Sequence, residues 1–346
     1  MFNKVISILG TLILLVVAGC RDVAPISVEE PSTENRTITL NLDITSKASA
    51  SLDESPTDFN LWIFNGDKLL GYISDNPVWD EIYNGGIDLR ASVEAEIDSK
   101  GVTQIQFYLL LNTNVENPTT LTPTQLKKLD FTIPKTPYTH DNKVPMSGEA
   151  TLDIYPSQFH YAVRIDATRS VGKLELYFTK NISSSELYIN KVSLGQEPNK
   201  GYLFETPEND TISYTATRDL FVSDTGQPTE INTVLTGESL PGNIEDYQKF
   251  FKKITILQPY LLENLYGGDN IQVEGVDTSV ENFVKRYYID IEYTIDSAII
   301  TKRLYLTKID RNTLNKVFIR IKEKVFDIEL TYKVKPWEMV VLTPEL

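Results

Sequence analysis

The residue with the most distinctive chemistry in this sequence is Cys20, the only cysteine among 346 residues. Lys4 is followed by an apolar run over residues 5–17, and the small residues Ala18 and Gly19 stand directly before the cysteine. A basic residue, an apolar run and small residues in this order are typical of an export signal. The small pair before a cysteine resembles the bacterial lipobox, in which the thiol is acylated and the chain is cut just before it. The alternative is an ordinary signal peptide with a chance cysteine.

Lipidation at Cys20 sets the first expectations about location. Residues 1–19 are predicted to be a lipoprotein signal peptide. A transmembrane helix is disfavoured, because the apolar run is shorter than the roughly 20 residues that such a helix needs. Acyl chains such as palmitate would hold Cys20 to a membrane by burying methylenes, at about 0.8 kcal/mol each. An acylated Cys20 leaves the mature chain without a thiol for a disulfide, a metal ion or nucleophilic attack.

The remaining residue types give no pattern for catalysis. His140 and His160 lack a second histidine, a cysteine or a carboxylate at ligand spacing, so we predict no metal site. The glycine turns at residues 84–86 and 267–270 lack the strand, lysine and helix of a phosphate-binding loop. The sequence therefore predicts no catalytic residue, no metal and no cofactor.

Two alternatives stay open for the acidic and aromatic residues. The carboxylates are scattered through predicted strands and turns, as on solvated faces, but a fold could bring two of them together as in a glycan-acting hydrolase. Tyrosines such as Tyr83 or Tyr138 could stack on sugars, although packing in a core or at its rim is the commoner fate.

Charge and length bound the class of protein. The formal net charge is −15 and the isoelectric point is about 4.7, which argues against nucleic-acid binding because that needs clustered lysine and arginine. Hydrophobic residues form 41% of the chain, which is ample for a buried core. Residues 20–36 are predicted to be a polar tether, and the length that follows favours two domains.

The first strongly patterned stretch is residues 37–45. Apolar and polar residues alternate strictly, so one face of a predicted strand carries Ile38, Leu40, Leu42 and Ile44. Burying each of them stabilises by about 1.5–3 kcal/mol, or on the order of 10 kcal/mol together before the entropy of ordering is subtracted. Residues 46–51 are small and polar apart from Lys47, a composition that suits a loop open to proteolysis.

Short elements follow in the first half of the chain. Residues 59–73 predict a hairpin that turns at Asn65-Gly66-Asp67, where the Asn-Gly pair supplies a positive φ, and residues 102–112 form an apolar run typical of a central strand. Residues 121–129 predict a short helix, and residues 144–148 predict a turn before a strand at 150–154.

The second half of the chain is also dominated by alternating patterns. Many short strands with little helix predict an all-β fold made of two β-sandwich domains, at residues 37–160 and 161–346, with short helices in the connections. The predicted strands lie within residues 159–166, 171–179, 186–194, 287–293, 303–307 and 316–335, the last with a change of phase near Lys324.

The order of several short motifs carries a resemblance to a known family. The chain resembles the fimbrillin family, the lipoprotein pilins and accessory subunits of Bacteroidales fimbriae, or type V pili. The matching pieces in chain order are Cys20 with its lipobox and residues 37–47, 61–67, 109–112, 144–148, 169–174, 259–264, 310–312 and 334–337.

The resemblance implies a fold and a route of assembly. Fimbrillins resemble tandem transthyretin-like Greek-key sandwiches whose first strand is cut away by a trypsin-like protease. The apolar groove left behind is then filled by the extended C-terminal segment of the next subunit. Physically this is strand addition, in which unpaired backbone groups and empty side-chain pockets recover partners from another chain.

A removable first strand restricts where the chain can be cut. Between Cys20 and Phe59 the only basic residues are Arg21, Arg36 and Lys47. Cleavage after Arg36 would leave the strand in the fold, whereas cleavage after Lys47 would release it together with its lipid. We therefore predict Lys47 as the processing site, with Arg36 second; an uncut subunit would instead resemble a lipid-held anchor.

The C-terminal residues are predicted to be the donor. Residues 338–346 are apolar enough to enter a groove, with Met339 and Val341 as the side chains that need burial. Trp337 could equally plug the core beside the last strand.

The sequence thus predicts a non-enzymatic fimbrial subunit that supports adhesion at the outer membrane and cell surface. Its expected partners are other fimbrial subunits, a processing protease and the membrane through Cys20, with no nucleic acid. The alternative is a monomeric surface lipoprotein that binds glycan or another host ligand through its loops.

Overall fold

The all-β prediction is confirmed by the structure, a computed structural model with one α-helical turn among its described elements. The structure describes residues 35–46, 58–74, 80–83, 86–98, 103–139, 143–181, 183–205, 212–223, 228–237, 249–267, 272–273, 285–322 and 328–336.

The described residues in the first half of the chain form nine strands. They are β1 (Asn35–Ser46), β2 (Phe59–Asn65), β3 (Lys68–Ile73), β4 (Asp80–Tyr83), β5 (Gly86–Asp98), β6 (Thr103–Leu111), β7 (Asp130–Phe131), β8 (Met146–Ile154) and β9 (His160–Arg169). Between β6 and β7 stand a 3₁₀ turn, Pro118–Thr120, and the helix α1, Pro123–Leu126.

Twelve further strands lie in the part of the second half that the structure describes. They are β10 (Gly172–Lys180), β11 (Leu187–Glu197), β12 (Gly201–Tyr202), β13 (Ala216–Val222), β14 (Thr229–Glu230), β15 (Lys252–Lys253), β16 (Tyr260–Leu261), β17 (Gln272–Val273), β18 (Tyr288–Ile295), β19 (Ala298–Tyr305), β20 (Thr313–Ile321) and β21 (Ile328–Pro336).

The first half forms an eight-stranded sheet in the order β3-β2-β6-β8-β9-β1-β5-β4. Strand β9 joins its two parts: it pairs with β8 only at Arg169 and Thr168, and with β1 along residues 160–167. Buried side chains from β1, β2, β5, β6, β8 and β9 form one apolar cluster, so both parts of the sheet cover the same core.

The hairpin over residues 59–73 is confirmed, and its turn lies within the predicted residues Asn65-Gly66-Asp67. Asn65 pairs with Lys68, so Gly66 and Asp67 are the central residues, and only Gly66 has a positive φ, of 58°. Glycine at the first central position is what type II′ turns favour. The glycine therefore supplies the unusual conformation, and Asn65 belongs to the strand.

The predicted helix at 121–129 is shorter in the structure. Thr122 caps α1: its hydroxyl accepts from the backbone N–H of Gln125, and the Gln125 side chain accepts from the Thr122 N–H in return. Pro123 occupies the first turn, where its missing N–H costs nothing. Leu126 is fully buried and fixes this turn against the sheet.

Residues 146–148 lie in β8, whereas the sequence predicted a turn there. Met146 pairs with Leu111 and Gly148 with Leu109, so the ladder begins before the predicted strand start. A Cβ at Gly148 would lie 2.9 Å from the backbone oxygen of Asp166. The glycine is needed because β8 and β9 approach closely, and this contact is invisible in the local sequence.

The second half contains a five-stranded sheet and a six-stranded sheet. Their paths are β15-β10-β20-β21, with β16 also on β10, and β13-β11-β18-β19-β17, with β14 also on β11. Both sheets contribute to one cluster of buried aliphatic and aromatic side chains. Strands β20 and β21 are antiparallel, and Ile321 pairs with Ile328, so the phase change near Lys324 separates two strands.

One glycine of β11 is explained by a stack of side chains on the sheet face. A Cβ at Gly195 would lie 2.0 Å from Cζ of Tyr288, because this ring lies over the glycine. The Arg303 guanidinium carbon lies 3.8 Å from the centroid of the same ring, and Asp290 accepts two hydrogen bonds from Arg303, at 2.7 and 2.8 Å. The aromatic ring thereby covers the backbone that glycine leaves bare.

The loop between β19 and β20 contacts the last residue of β9 and residues 202–203 at β12. Arg311 donates to the backbone oxygens of Tyr202 and Leu203, while Asn312 accepts from the fully buried Arg169 at 2.8 Å. Burial lowers the pKa of Arg311. Two neighbouring residues thus hold distant parts of the chain together.

A second set of contacts joins the same parts. Strands β7 and β12 pair, and Gln258 donates to the backbone oxygens of Pro134 and Thr136 at 2.9 and 2.6 Å. The division into domains at residue 160 stays a prediction; β9, which begins there, pairs with strands of the first sheet.

Candidate functional site

Strand β1 lies inside the first sheet with neighbours on both sides. It is antiparallel to β5 from Asn35 to Ser46 and parallel to β9 from Thr39 to Ser46. An interior strand satisfies its backbone N–H and C=O groups on both edges. Removing β1 would therefore open two ladders at once, one on β5 and one on β9.

The apolar face of β1 is buried. The four predicted core side chains have relative exposures of 0–2%: Ile38, Leu40, Leu42 and Ile44. They share a cluster with Ala95 and Ile97 of β5 and with Val163 and Ile165 of β9. The space that β1 fills between β5 and β9 is called the slot of β1 below. Because the side chains that β1 buries there are all aliphatic and alternate along the strand, the slot is specific for a strand with apolar side chains at every second residue.

Arg36 ties the start of β1 to the turn between β8 and β9. Its Nη2 donates to the backbone oxygen of Tyr155 at 2.6 Å, and its Nη1 donates to those of Gln158, at 3.1 Å, and Pro156. The guanidinium carbon also lies 5.5 Å from the centroid of the Phe159 ring. Three carbonyl oxygens of one turn thus converge on a single cation.

Tyr161 holds that turn in shape from the core side. Its hydroxyl accepts from the backbone N–H of Tyr155 at 2.8 Å and lies 3.1 Å from the backbone oxygens of Tyr155 and Gln158. Tyr161 is 5% exposed, whereas Phe159 is 51% exposed. The turn therefore combines a fixed backbone with an open outer surface.

The two predicted cleavage positions have different surroundings. Arg36 and Thr37 pair with Ile97 and Glu96, so the bond between them lies within the β1–β5 ladder. Lys47 directly follows Ser46, the last residue of β1, and lies outside the described residues. Its role as the processing site stays a prediction.

The remaining predicted site residues also fall outside the described part of the chain. These are Cys20 with the signal, and Met339 and Val341 in the predicted donor. Strand β21, which precedes the donor, is the last strand in its sheet and among described strands pairs only with β20.

A polar cleft lies at the other end of the first sheet. Its volume is about 430 Å³, and Asp58, Asn60, Tyr72 and Thr113 are among its lining residues. The Asn60 side chain donates to the backbone oxygen of Thr113 at 2.9 Å and accepts from the Tyr72 hydroxyl at 2.7 Å. Hydroxyl, amide and carboxylate groups thus surround a space of ligand size.

The described residues contain neither a metal-binding cluster nor a membrane-spanning helix. Within them, no cluster of three or more His, Cys, Asp or Glu side chains could hold a metal ion. His160 is exposed at the start of β9. No helix in the described part of the chain has the length and apolar character to cross a membrane.

The sequence predicted Arg36 only as a possible cleavage site and did not predict that its side chain binds the turn at residues 155–158. Its acceptors lie about 120 residues further along the chain, so no local pattern joins them. The available signal was the position of a cation two residues before the first buried side chain of β1.

The packed β-sheets of this chain have a fold similar to that of solved fimbrial proteins. The structure is similar to the tip fimbrial protein Mfa3 from Porphyromonas gingivalis, at 12% identity and a TM-score of 0.54, covering 87% of this chain and 100% of that one. It is similar to a fimbrial assembly protein from Parabacteroides distasonis, at 10% identity and a TM-score of 0.52, covering 87% and 99%. It is also similar to a candidate cell adhesion protein from the same species, at 14% identity and a TM-score of 0.55, covering 88% of this chain and 98% of that one.

These likenesses confirm the resemblance to fimbrillins at the level of fold. Comparison of the sequence with family models finds no match, and comparison with curated proteins finds none either.

Proposed function

We propose that this protein is a structural subunit of cell-surface fimbriae that assembles by proteolysis-triggered strand exchange. The observation that carries the proposal is the interior position of β1, with four buried aliphatic side chains and two flanking ladders. A strand in this position, once removed, leaves a groove that another chain can fill by strand addition. The shared fold with solved fimbrial proteins supports the same function.

The proposed cut falls after Lys47. A protease binds its substrate as an extended segment whose backbone groups are unpaired, and a residue inside a paired ladder offers these only after local unfolding. Arg36 is paired in this way, and its side chain is held by the turn at residues 155–158. The sequence around Lys47 is small and polar, so it supports cleavage there.

The proposed donor is residues 338–346, with Met339 and Val341 entering the groove. Strand β21 leads directly to this segment from the edge of its sheet. A donor that continues from an edge strand can reach a neighbouring subunit without crossing the core of its own. Acylation of Cys20 would hold the uncut subunit at the outer membrane until the protease releases it.

The test is limited digestion of the purified chain, lacking its signal, with a protease specific for lysine and arginine. We expect a new N-terminus at Ala48 and a ladder of polymers on an unheated gel that collapses on boiling. The matched variant is Lys47→Ala, in which we expect neither the new N-terminus nor the ladder. A clean cut at Lys47 that leaves a monomer would contradict assembly by strand exchange.

A second candidate function is glycan binding by a monomeric surface lipoprotein. The polar cleft beside Asn60 and Tyr72 favours it, because such clefts bind sugars through hydroxyl and amide groups. Titration with glycan panels separates the two functions, since a binding protein would keep its affinity as a monomer after loss of the residues before Ala48. Loss of that affinity in Tyr72→Ala would assign it to this cleft.

A further inference from the structure

The turn at residues 155–158 offers a cluster of backbone acceptors to whatever strand occupies the slot of β1. Three of its carbonyl oxygens, from Tyr155, Pro156 and Gln158, accept from Arg36. Carbonyl oxygens carry partial negative charge, and hydrogen bonds to a charged donor are stronger than neutral ones. A strand that replaces β1 therefore gains most when it also carries a cation at this position.

The geometry points to a specific register for the donor: Lys335 of a second copy of this chain takes the place of Arg36 against the turn at residues 155–158. This inference rests on the proposed strand exchange and adds to it the alignment of the incoming strand. The occupant is the C-terminal segment of another copy, running parallel to β9 as β1 does.

The tail has the required side chains at the required spacing. Apolar residues follow Lys335 at every second position, as they follow Arg36. Trp337, Met339 and Val341 correspond to Ile38, Leu40 and Leu42, and Thr343 corresponds to Ile44. Ten residues follow Pro336, whereas the slot from Ile38 to Ile44 spans seven, so the segment is long enough.

The tail holds two prolines. Pro344 would stand at the position of Thr45, next to the end of the ladder with β9, where one hydrogen bond to β9 would be lost, whereas Pro336 fits the register without such a loss. Pro336 would stand at the position of Thr37. Thr39 donates its N–H towards β9, to the backbone oxygen of Phe159 at 2.8 Å, and residues two apart in a strand direct their N–H groups to the same side. Pairing with β9 begins at Thr39, so position 37 precedes that ladder and tolerates a residue without an N–H.

One other lysine offers a competing register. Lys324 is also followed by apolar residues at every second position, and three of them lie at 328, 330 and 332. That register would take nearly all of β21 away from β20, with which it pairs from Ile328 to Pro336. The Lys335 register takes only Lys335 and Pro336 from that ladder, so it costs the donor subunit far less pairing.

The first arm of the test measures assembly after cutting at Lys47, in the full chain and in variants. We expect Lys335→Ala to raise the apparent dissociation constant of the polymer about tenfold, equivalent to about 1.4 kcal/mol. Lys335→Arg should assemble as the parent does. Lys324→Ala is the matched control and should also assemble normally; thermal unfolding of each uncut variant checks that β21 remains folded.

The second arm reads the register directly through disulfide formation. In the proposed register residue 340 corresponds to Asn41, which pairs with the exposed Ala162. V340C/A162C should therefore link neighbouring subunits under oxidising conditions, whereas V340C/R164C, two residues out of register, should link them poorly. The native cysteine leaves with the cut leader and does not compete.

The outcomes separate the register from the function. Normal assembly of Lys335→Ala, a defect in Lys324→Ala, or preferential linking of V340C/R164C would overturn the register while leaving strand exchange in place. A cut parent chain that forms no polymer would overturn the proposed function itself, and the register with it.

Discussion

Arg36 ties one end of a whole strand to the rest of the sheet through a single side chain. It lies at the start of β1, and its guanidinium donates hydrogen bonds to the turn at residues 155–158 and lies over the ring of Phe159. A strand that is otherwise held by its apolar face is thus also held at its end, where separation from β9 would begin. The strength of these contacts is expected to set how readily β1 opens.

Arg36→Ala is expected to make β1 open more often in the uncut chain. The arginine is partly exposed, so its loss should cost about 1 kcal/mol rather than the full value of buried charged hydrogen bonds. Amide hydrogen exchange of β1 should accelerate about fivefold. The control is Arg164→Ala, which removes an exposed arginine on β9 that is paired with Asp166; equal acceleration in both variants would contradict a specific role for Arg36.

Glu175 on β10 gives the stability a dependence on pH. Burial raises the pKa of this carboxyl, but hydrogen bonds from Lys253 and Tyr177 and the charges of Lys253 and Lys316 outweigh burial, so the net pKa lies below its ordinary value. A carboxyl with a lowered folded-state pKa stabilises the fold above its unfolded pKa, and this contribution disappears as pH falls through the folded-state value.

Glu175→Gln is therefore expected to lower the free energy of unfolding by about 1 kcal/mol at pH 7. The difference from the parent should shrink below about pH 4.3, the ordinary pKa of glutamate, and vanish in stronger acid. Urea unfolding across this range measures it, with Glu230→Gln on an exposed residue of β14 as the control. A difference that stays constant with pH would show that the glutamate acts by packing alone.

At the scale of elements, the sequence predicted those strands whose position depends on the local alternation of apolar and polar residues. The alternation in β1 and the apolar run of β6 predicted a half-buried and a central strand, and both are found. The start of β8 was missed because it depends on pairing with β6 and on the close approach of Gly148 to β9. Contacts of Arg36 and Arg311 join residues more than 100 positions apart, so their partners could not be predicted from spacing.

Strand β1 should contribute to stability only while it remains attached. Leu40→Ala removes a fully buried side chain and is expected to lower the free energy of unfolding of the uncut chain by about 2–5 kcal/mol. Once β1 has been cut away, variant and parent are the same molecule and should unfold identically. Denaturant unfolding before and after digestion tests this, with the exposed Asn41→Ala as control; a difference that persists after digestion would mean that β1 is not released.

At the scale of the whole molecule, the contacts of Arg311 should make the two halves unfold together. Arg311→Ala leaves the backbone oxygens of Tyr202 and Leu203 without this donor, at a cost of about 1–3 kcal/mol. We expect the single unfolding transition of the parent to separate into two. Lys308→Ala, which breaks an exposed ion pair with Asp310 nearby, is the control; one unchanged transition in Arg311→Ala would assign the coupling to the other contacts.

The interior position of β1 also bears on how a fimbria built from this protein would respond to pulling. A strand at a sheet edge can be peeled away, so that its hydrogen bonds break one after another. A donor in the slot of β1 would instead be pulled along its own length, between β5 and β9, and both ladders would share the load at the same time. Because forced separation is governed by the rate of barrier crossing, such a joint would hold for long periods in flowing liquid even though no covalent bond joins the subunits.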